Sequence, residues 1–226
     1  MIAFPGAPLA VLAGTNKLSS IWGTAFAFWR FGRSLKFDWR VLRWVLPAAF
    51  AASVFGAVVL SRLDTPRVKP YVVVVLIVVV IFVGAYTTLQ KELGAYSKEH
   101  HLDLSLKAII GRATVIGVGA GFYDGFFGPG TGSFLIFACI LWLGFDFLQA
   151  SGWAKAVNFA TNTAALSFLL ASGNFYLGTG LCMACANVAG SAIGSHLAIL
   201  KGNGWIRFIF LIMVAALLVK LIITRS

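Results

Sequence analysis

The sequence predicts an all-α integral membrane protein, a polytopic helical bundle, and three observations carry that prediction. Hydrophobic residues make up 60% of the 226 residues and charged residues only 11%. Several apolar runs approach the roughly 20 residues that a helix needs to cross a bilayer. The basic residues lie mainly between those runs. The first two observations exclude a soluble domain. The third removes nucleic acid as the meaning of the net charge of +11, because Lys and Arg gathered between spans read as topology signals.

The elements follow in order along the chain. The first thirteen residues have no basic start and hold Pro5 and Pro8, so neither a cleavable signal peptide nor a helix is expected there. Residues 16–31 form a short span with a polar start, residues 41–61 a second, and the uncharged residues 70–89 the clearest of all. Residues 112–145 are too long for one helix and read as two half-helices about a break. Residues 156–172, 175–200 and 205–223 complete the set. Arg30, Arg33, Lys36, Arg40 and Arg43 flank the first connection, and Lys91, Lys98, Lys107 and Arg112 the third. The positive-inside rule places both in the cytoplasm and the second connection, with Arg62, Arg67 and Lys69, outside. Basic residues on the two sides slightly favour residues 112–145 re-entering over crossing. The seven tryptophans fall mostly near span ends, as an aromatic belt does.

Residues 121–135 read Gly-Phe-Tyr-Asp-Gly-Phe-Phe-Gly-Pro-Gly-Thr-Gly-Ser-Phe-Leu. Five glycines and a proline are not expected to continue an α-helix. Irregular backbone at membrane depth is tolerated only where protein or a water-filled cavity covers it, so this broken or re-entrant segment predicts a binding site or pathway. Gly130, Thr131, Gly132 and Ser133 can start a half-helix whose unpaired N–H groups point into the break, with Gly128 allowing close backbone approach and the two hydroxyls adding donors. Asp124 is the one carboxylate inside the segment. It reads as a proton site or as a cap for neighbouring N–H groups. Tyr123 beside it gates or bonds a substrate, or anchors at the interface.

Asn158, Thr161 and Asn162 share one helix face and either face the break or bond a neighbouring helix. They follow Gly152-Trp-Ala-Lys155, and Gly14-Thr-Asn16-Lys17 opens the first span 138 residues earlier, followed by Ser19, Ser20 and Thr24. This echo predicts two related halves, residues 1–111 and 112–226, as transporters often have. The first half is expected to lack a counterpart of the glycine-rich break. Lys17 and Lys155 draw an anion toward the site or snorkel to the headgroups.

Cys139, Cys182 and Cys185 all fall in apolar segments, which argues against a disulfide framework. Cys182 and Cys185 have thiol-redox spacing but sit among small residues of the kind that pack transmembrane helices. His100 and His101, beside Glu99 and Asp103, read as a solvated connection, and His196 has no second ligand at useful spacing. No metal or cofactor is expected. Ser133 has no evident His partner, so intramembrane proteolysis is a poor fit and an enzyme is not expected.

The stretch 121–133, with Gly144-Phe-Asp146, Ala154-Lys-Ala-Val-Asn-Phe-Ala-Thr-Asn162 and Thr15-Asn-Lys-Leu18, resembles the TauE/SafE family of sulfite exporter-like membrane proteins. The resemblance covers nearly the whole chain. It implies a multi-pass secondary transporter in the cytoplasmic membrane that moves sulfite or a small organosulfur or organic anion through these segments. Its implied partners are the bilayer and the anion, with self-association left open; protons join them only through the reading of Asp124 as a proton site. Family members usually begin with another glycine-rich segment, so the resemblance also implies a shortened member. Two other readings stay open: an intramembrane thiol redox protein using Cys182 and Cys185, and a non-transporting truncated subunit.

Overall fold

The computed structural model describes residues 7–63, 105–128 and 130–223, the side chains of 210, 213–215 and 217–223 excepted. The expected span 70–89 and the His100–His101 connection lie outside them. Six helices make up the described chain, without strands: α1 (Leu9–Ser34), α2 (Trp39–Arg62), α3 (Leu106–Phe126), α4 (Thr131–Leu143), α5 (Phe147–Ala171) and α6 (Leu177–Ile223). The helix α6 is broken at Gly202, whose positive φ of 68° separates the two spans that the sequence predicts there. Among the described residues, Trp39–Arg62, Leu106–Phe126 and Leu177–Ile209 are long and apolar enough to cross a membrane.

Two expectations are corrected at helix ends. Pro8 does not interrupt a helix but stands at the N-terminal boundary of α1, where a missing N–H costs nothing. The first span therefore starts at Leu9 rather than at residue 16, and Lys17 lies more than two turns inside it. The second correction concerns the glycine-rich stretch. The helix α3 continues through Gly121 and Gly125 to Phe126 and has 21 residues, so only α4, with 13, has half-helix length.

Helix packing explains why those glycines are present. Gly117, Gly121 and Gly125 recur every fourth residue and lie on one face of α3, against Val45, Ala49 and Ser53 of α2. A Cβ added at Gly117 would stand 2.8 Å from Val45 Cγ1, and one at Gly121 or Gly125 would fall on the backbone of Ala49 or Ser53. Small residues give lipid-embedded helices this close approach, since no hydrophobic driving force separates helix from lipid.

The helix α5 is the centre of the bundle. It packs against all five other helices, and fifteen of its 25 residues are buried. Its ends are set by turn chemistry. Gly144, with φ 69°, closes α4, and Phe145 N–H returns to Cys139 O at 3.4 Å. Asp146 then caps α5 by accepting from Gln149 N–H at 2.7 Å. Trp153 is buried against Phe145 and leaves the expected aromatic belt, whereas Trp22, Trp29, Trp39, Trp44 and Trp142 are exposed.

The helices α1 and α5 pack reciprocally. Gly14 of α1 abuts the backbone of Asn174, in the connection after α5, and Gly152 of α5 abuts Leu35 and Phe37, in the connection after α1. Where α1 meets α5, Asn162 donates to Thr24 Oγ1 at 3.5 Å, across the same 138 residues that separate the two sequence echoes.

Gly125→Ala is expected to lower the thermal unfolding midpoint of the purified protein in detergent, at a cost of at least the ~1–3 kcal/mol typical of overpacking. Gly119→Ala, with nothing within 4 Å of the added carbon, is expected to hold or raise it. Equal midpoints would refute the packing account.

Candidate functional site

An isolated charge in an apolar bundle is costly, and the two charges nearest the centre solve this together. Lys17 Nζ of α1 lies 2.7 Å from Asp124 Oδ2 of α3, with the two residues 1% and 3% exposed. The pairing was not legible in the sequence, where Lys17 stood near the expected start of a span. The usable signal was the demand that one buried carboxylate makes for one buried cation.

The break between α3 and α4 is folded against this pair. Tyr123 O accepts from Phe127 N–H at 2.8 Å and Gly128 N–H at 3.2 Å, ending α3 one turn past Asp124. Gly128 and Gly130 both have positive φ, 87° and 85°, a conformation that glycine adopts without penalty. A Cβ at Gly128 would stand 3.1 Å from Lys17 Nζ. Thr131 closes the turn, with its N–H at 3.2 Å and its hydroxyl at 2.7 Å from Gly128 O. That hydroxyl, expected as a donor to a ligand, is committed to the turn itself.

The N-terminus of α4 therefore starts from an exposed Gly130 and turns inward at the buried Thr131, and α5 presents Asn158 to its first turn. Asn158 Nδ2 stands 3.3 Å from the position a Cβ on Gly132 would take. Asn158 is 8% exposed, and its Oδ1 has no hydrogen-bond partner among the described residues. A donor amide facing a helix start, whose N–H groups are donors too, is an arrangement that accepts negative charge between them. The amide's other end asks for a donor.

The remaining predicted residues divide. Thr161 is fully buried, its hydroxyl donating to Asn158 O at 3.2 Å and its carbonyl accepting from Ser53 Oγ at 2.8 Å. Ser53, missed in the sequence, thus ties α2 to α5 at the level where Gly125 touches α2. Asn162 holds α1 through Thr24. Ser133 and Asn16 are half-buried, and neither side chain hydrogen-bonds into the cluster among the described residues. Tyr123 is half-buried and edge-on to Phe127 at 6.2 Å. Lys155, also half-buried, precedes Asn158 by one turn on the same face of α5, with no ion pair among the described residues. Cys182 and Cys185 are free and exposed on α6.

Around the site, α1 is fastened to α6 by polar contacts. Asn187 Nδ2 donates to Ser19 Oγ at 2.5 Å, the Arg30 guanidinium donates to the ring of His196, and Tyr176 N–H donates to Thr15 Oγ1 at 2.9 Å.

A family model described as "Sulfite exporter TauE/SafE" matches residues 1–221. The chain is 30% identical to a "Probable membrane transporter protein" of Haemophilus influenzae over 221 residues, covering 96% of this chain and 82% of that protein. It is 29% identical to the "Probable membrane transporter protein YfcA" of Escherichia coli K12, covering 92% of this chain and 74% of that one. It is also 29% identical to the "Probable membrane transporter protein ORF9" of a Sinorhizobium species, covering 96% and 80%. No solved structure matches the chain.

Replacing either partner of the ion pair alone, Lys17→Met or Asp124→Leu, is expected to cost ~3–5 kcal/mol of stability by leaving one buried charge uncompensated. The paired replacement is expected to recover most of that loss. Thermal unfolding in detergent reads the cycle, and a double variant no better than the singles would show that the two side chains act independently.

Proposed function

The chain belongs to the sulfite exporter TauE/SafE family, and from that membership and the buried site together we propose that it is a secondary transporter, not an enzyme, for a small anion such as sulfite or an organosulfonate. The observation that carries this reading is the N-terminus of α4 facing the buried Asn158 amide, beside the Lys17–Asp124 pair. Helix N-termini aimed at anionic groups from within broken segments recur in transporters. The family name motivates the sulfur chemistry, and the apolar helices support a multi-pass protein, which we assign to the cytoplasmic membrane.

Reciprocal packing of α1 and α5 supports two related halves, residues 1–111 and 112–226, moving about a shared site. Lys17 attracts the entering anion but is already neutralised by Asp124. An anion that takes over Lys17 leaves Asp124 without its counter-charge, and a buried carboxylate in that position takes up a proton. Anion and proton movement are coupled in this way through one lysine. The inner part of the site is covered in this conformation, since Lys17, Asp124, Thr131 and Thr161 are all buried, while Gly130 at the start of α4 is exposed. Transport then requires the helices around it to part.

Flux of sulfite and of a two-carbon sulfonate into proteoliposomes, across an imposed pH gradient, tests the reading. The unmutated protein is expected to move one or both with a rate that follows the gradient. Asp124→Asn is expected to abolish the gradient's effect, and Asn158→Ala to lower flux by about tenfold or more, the loss of a buried hydrogen bond to a charged group. Unchanged pH dependence in Asp124→Asn would end the coupling mechanism, and absence of flux for every small anion would end the transporter reading.

A further inference from the structure

The Asn158 side chain carries information about the ligand beyond its negative charge. An oxyanion without hydrogens offers only acceptors. The amide Nδ2 and the first-turn N–H groups of α4 suit such a ligand, but Oδ1 does not. That oxygen is buried with no partner among the described residues, and a buried acceptor left unmade is costly. Its natural complement is an O–H or N–H on the ligand itself.

We propose that the site selects an oxyanion that carries a hydrogen-bond donor of its own, and that Asn158 is the residue that makes the selection. Hydrogen sulfite, rather than the sulfite dianion, and hydroxy- or amino-substituted sulfonates, rather than plain alkyl ones, belong to this class. The proposal rests on the transporter reading above and narrows it. Asn158 Nδ2 and the α4 N-terminus hold the anionic oxygens, while Oδ1 accepts from the protonated oxygen or the substituent. A site built to bond a ligand hydrogen rejects the analogue without it, because its own buried acceptor then goes unpaired.

Matched sulfonates in proteoliposomes test this. 2-Hydroxyethanesulfonate is compared with 1-propanesulfonate, in which a methyl replaces the hydroxyl, and with 2-methoxyethanesulfonate, which keeps the oxygen but has no donor. The unmutated protein is expected to favour the hydroxy compound in flux at low concentration by about tenfold or more over both. Asn158→Leu is expected to bring the three within about twofold of one another. If that variant does not fold, the methoxy comparison in the unmutated protein still decides, since equal transport of the alcohol and its ether would overturn the proposal. A preference that survives Asn158→Leu would overturn it too. Transport of all three at one rate by the unmutated protein defeats the selection while leaving an anion transporter, whereas transport of none of them, nor of sulfite, defeats both.

Discussion

A charge cannot stand alone inside an apolar helical bundle, and the geometry around the break follows from how one is compensated. Asp124 lies near the end of α3 and Lys17 more than two turns into α1, so their 2.7 Å contact fixes the depth of one helix against the other. Once it is fixed, the turn after α3 has to pass over the lysine. It does so through Gly128, whose missing side chain leaves room for Nζ and whose positive φ aims the chain back into the bundle as α4. A Cβ at residue 128 would crowd Lys17 Nζ at 3.1 Å, and the positive φ of 87° would itself be strained for any other residue. The ion pair thus explains the glycine, the glycine directs the turn, and the turn puts a helix N-terminus where lipid-facing backbone is forbidden.

Close backbone packing supplies the rigid frame that makes such placement reproducible. In α3, Gly117, Gly121 and Gly125 seat the helix on α2, and Ser53, which Gly125 touches, bonds Thr161 O of α5. The chain of contacts α3–α2–α5 therefore ends beside Asn158. Two routes, one through the ion pair and turn and one through the glycine face and Ser53, arrive at the same cluster. A ligand group held between Asn158 and α4 is positioned by both.

Much of this was legible in the sequence, and what was not has identifiable physical causes. The membrane class, the helices α2 and α5 and the importance of residues 121–133 follow from apolar length and the concentration of glycine. The extent of the break does not. Glycine spacing of four serves helix packing and loop formation with the same letters, and only the presence of a partner such as Ala49 or Ser53 decides between them. Pro8 misled for a related reason, since proline is equally at home just before a helix and in a place where none can form. The pairing of Lys17 with Asp124 links residues 107 positions apart by the subtraction 124 − 17, and no local pattern encodes it. Thr131 was expected to offer its hydroxyl to a ligand, but a turn closed by two bonds to Gly128 O consumes that donor.

The polar contacts around the site also divide the bundle into parts of unequal stiffness. The helices α2 and α3 are joined through backbone contact that no side-chain rotation relieves, and α1 and α6 through Ser19–Asn187 and Arg30–His196. Between these two pairs run a buried apolar cluster, in which Leu9, Ala10 and Ala13 of α1 meet Ala57 and Leu60 of α2, and one polar tie, the Lys17–Asp124 ion pair; α1 also meets the central helix through the 3.5 Å bond between Asn162 and Thr24. That bond is at the long end of hydrogen-bond geometry and contributes little. The ion pair is strong only while both charges are present and unscreened. Neutralising Asp124, or giving Lys17 another anion, weakens the polar tie between the α1–α6 pair and the α2–α3 pair while leaving each pair intact. For a transporter, this is the economical place to join ligand to motion, because the event that loads the site is the same event that loosens the seam it has to open.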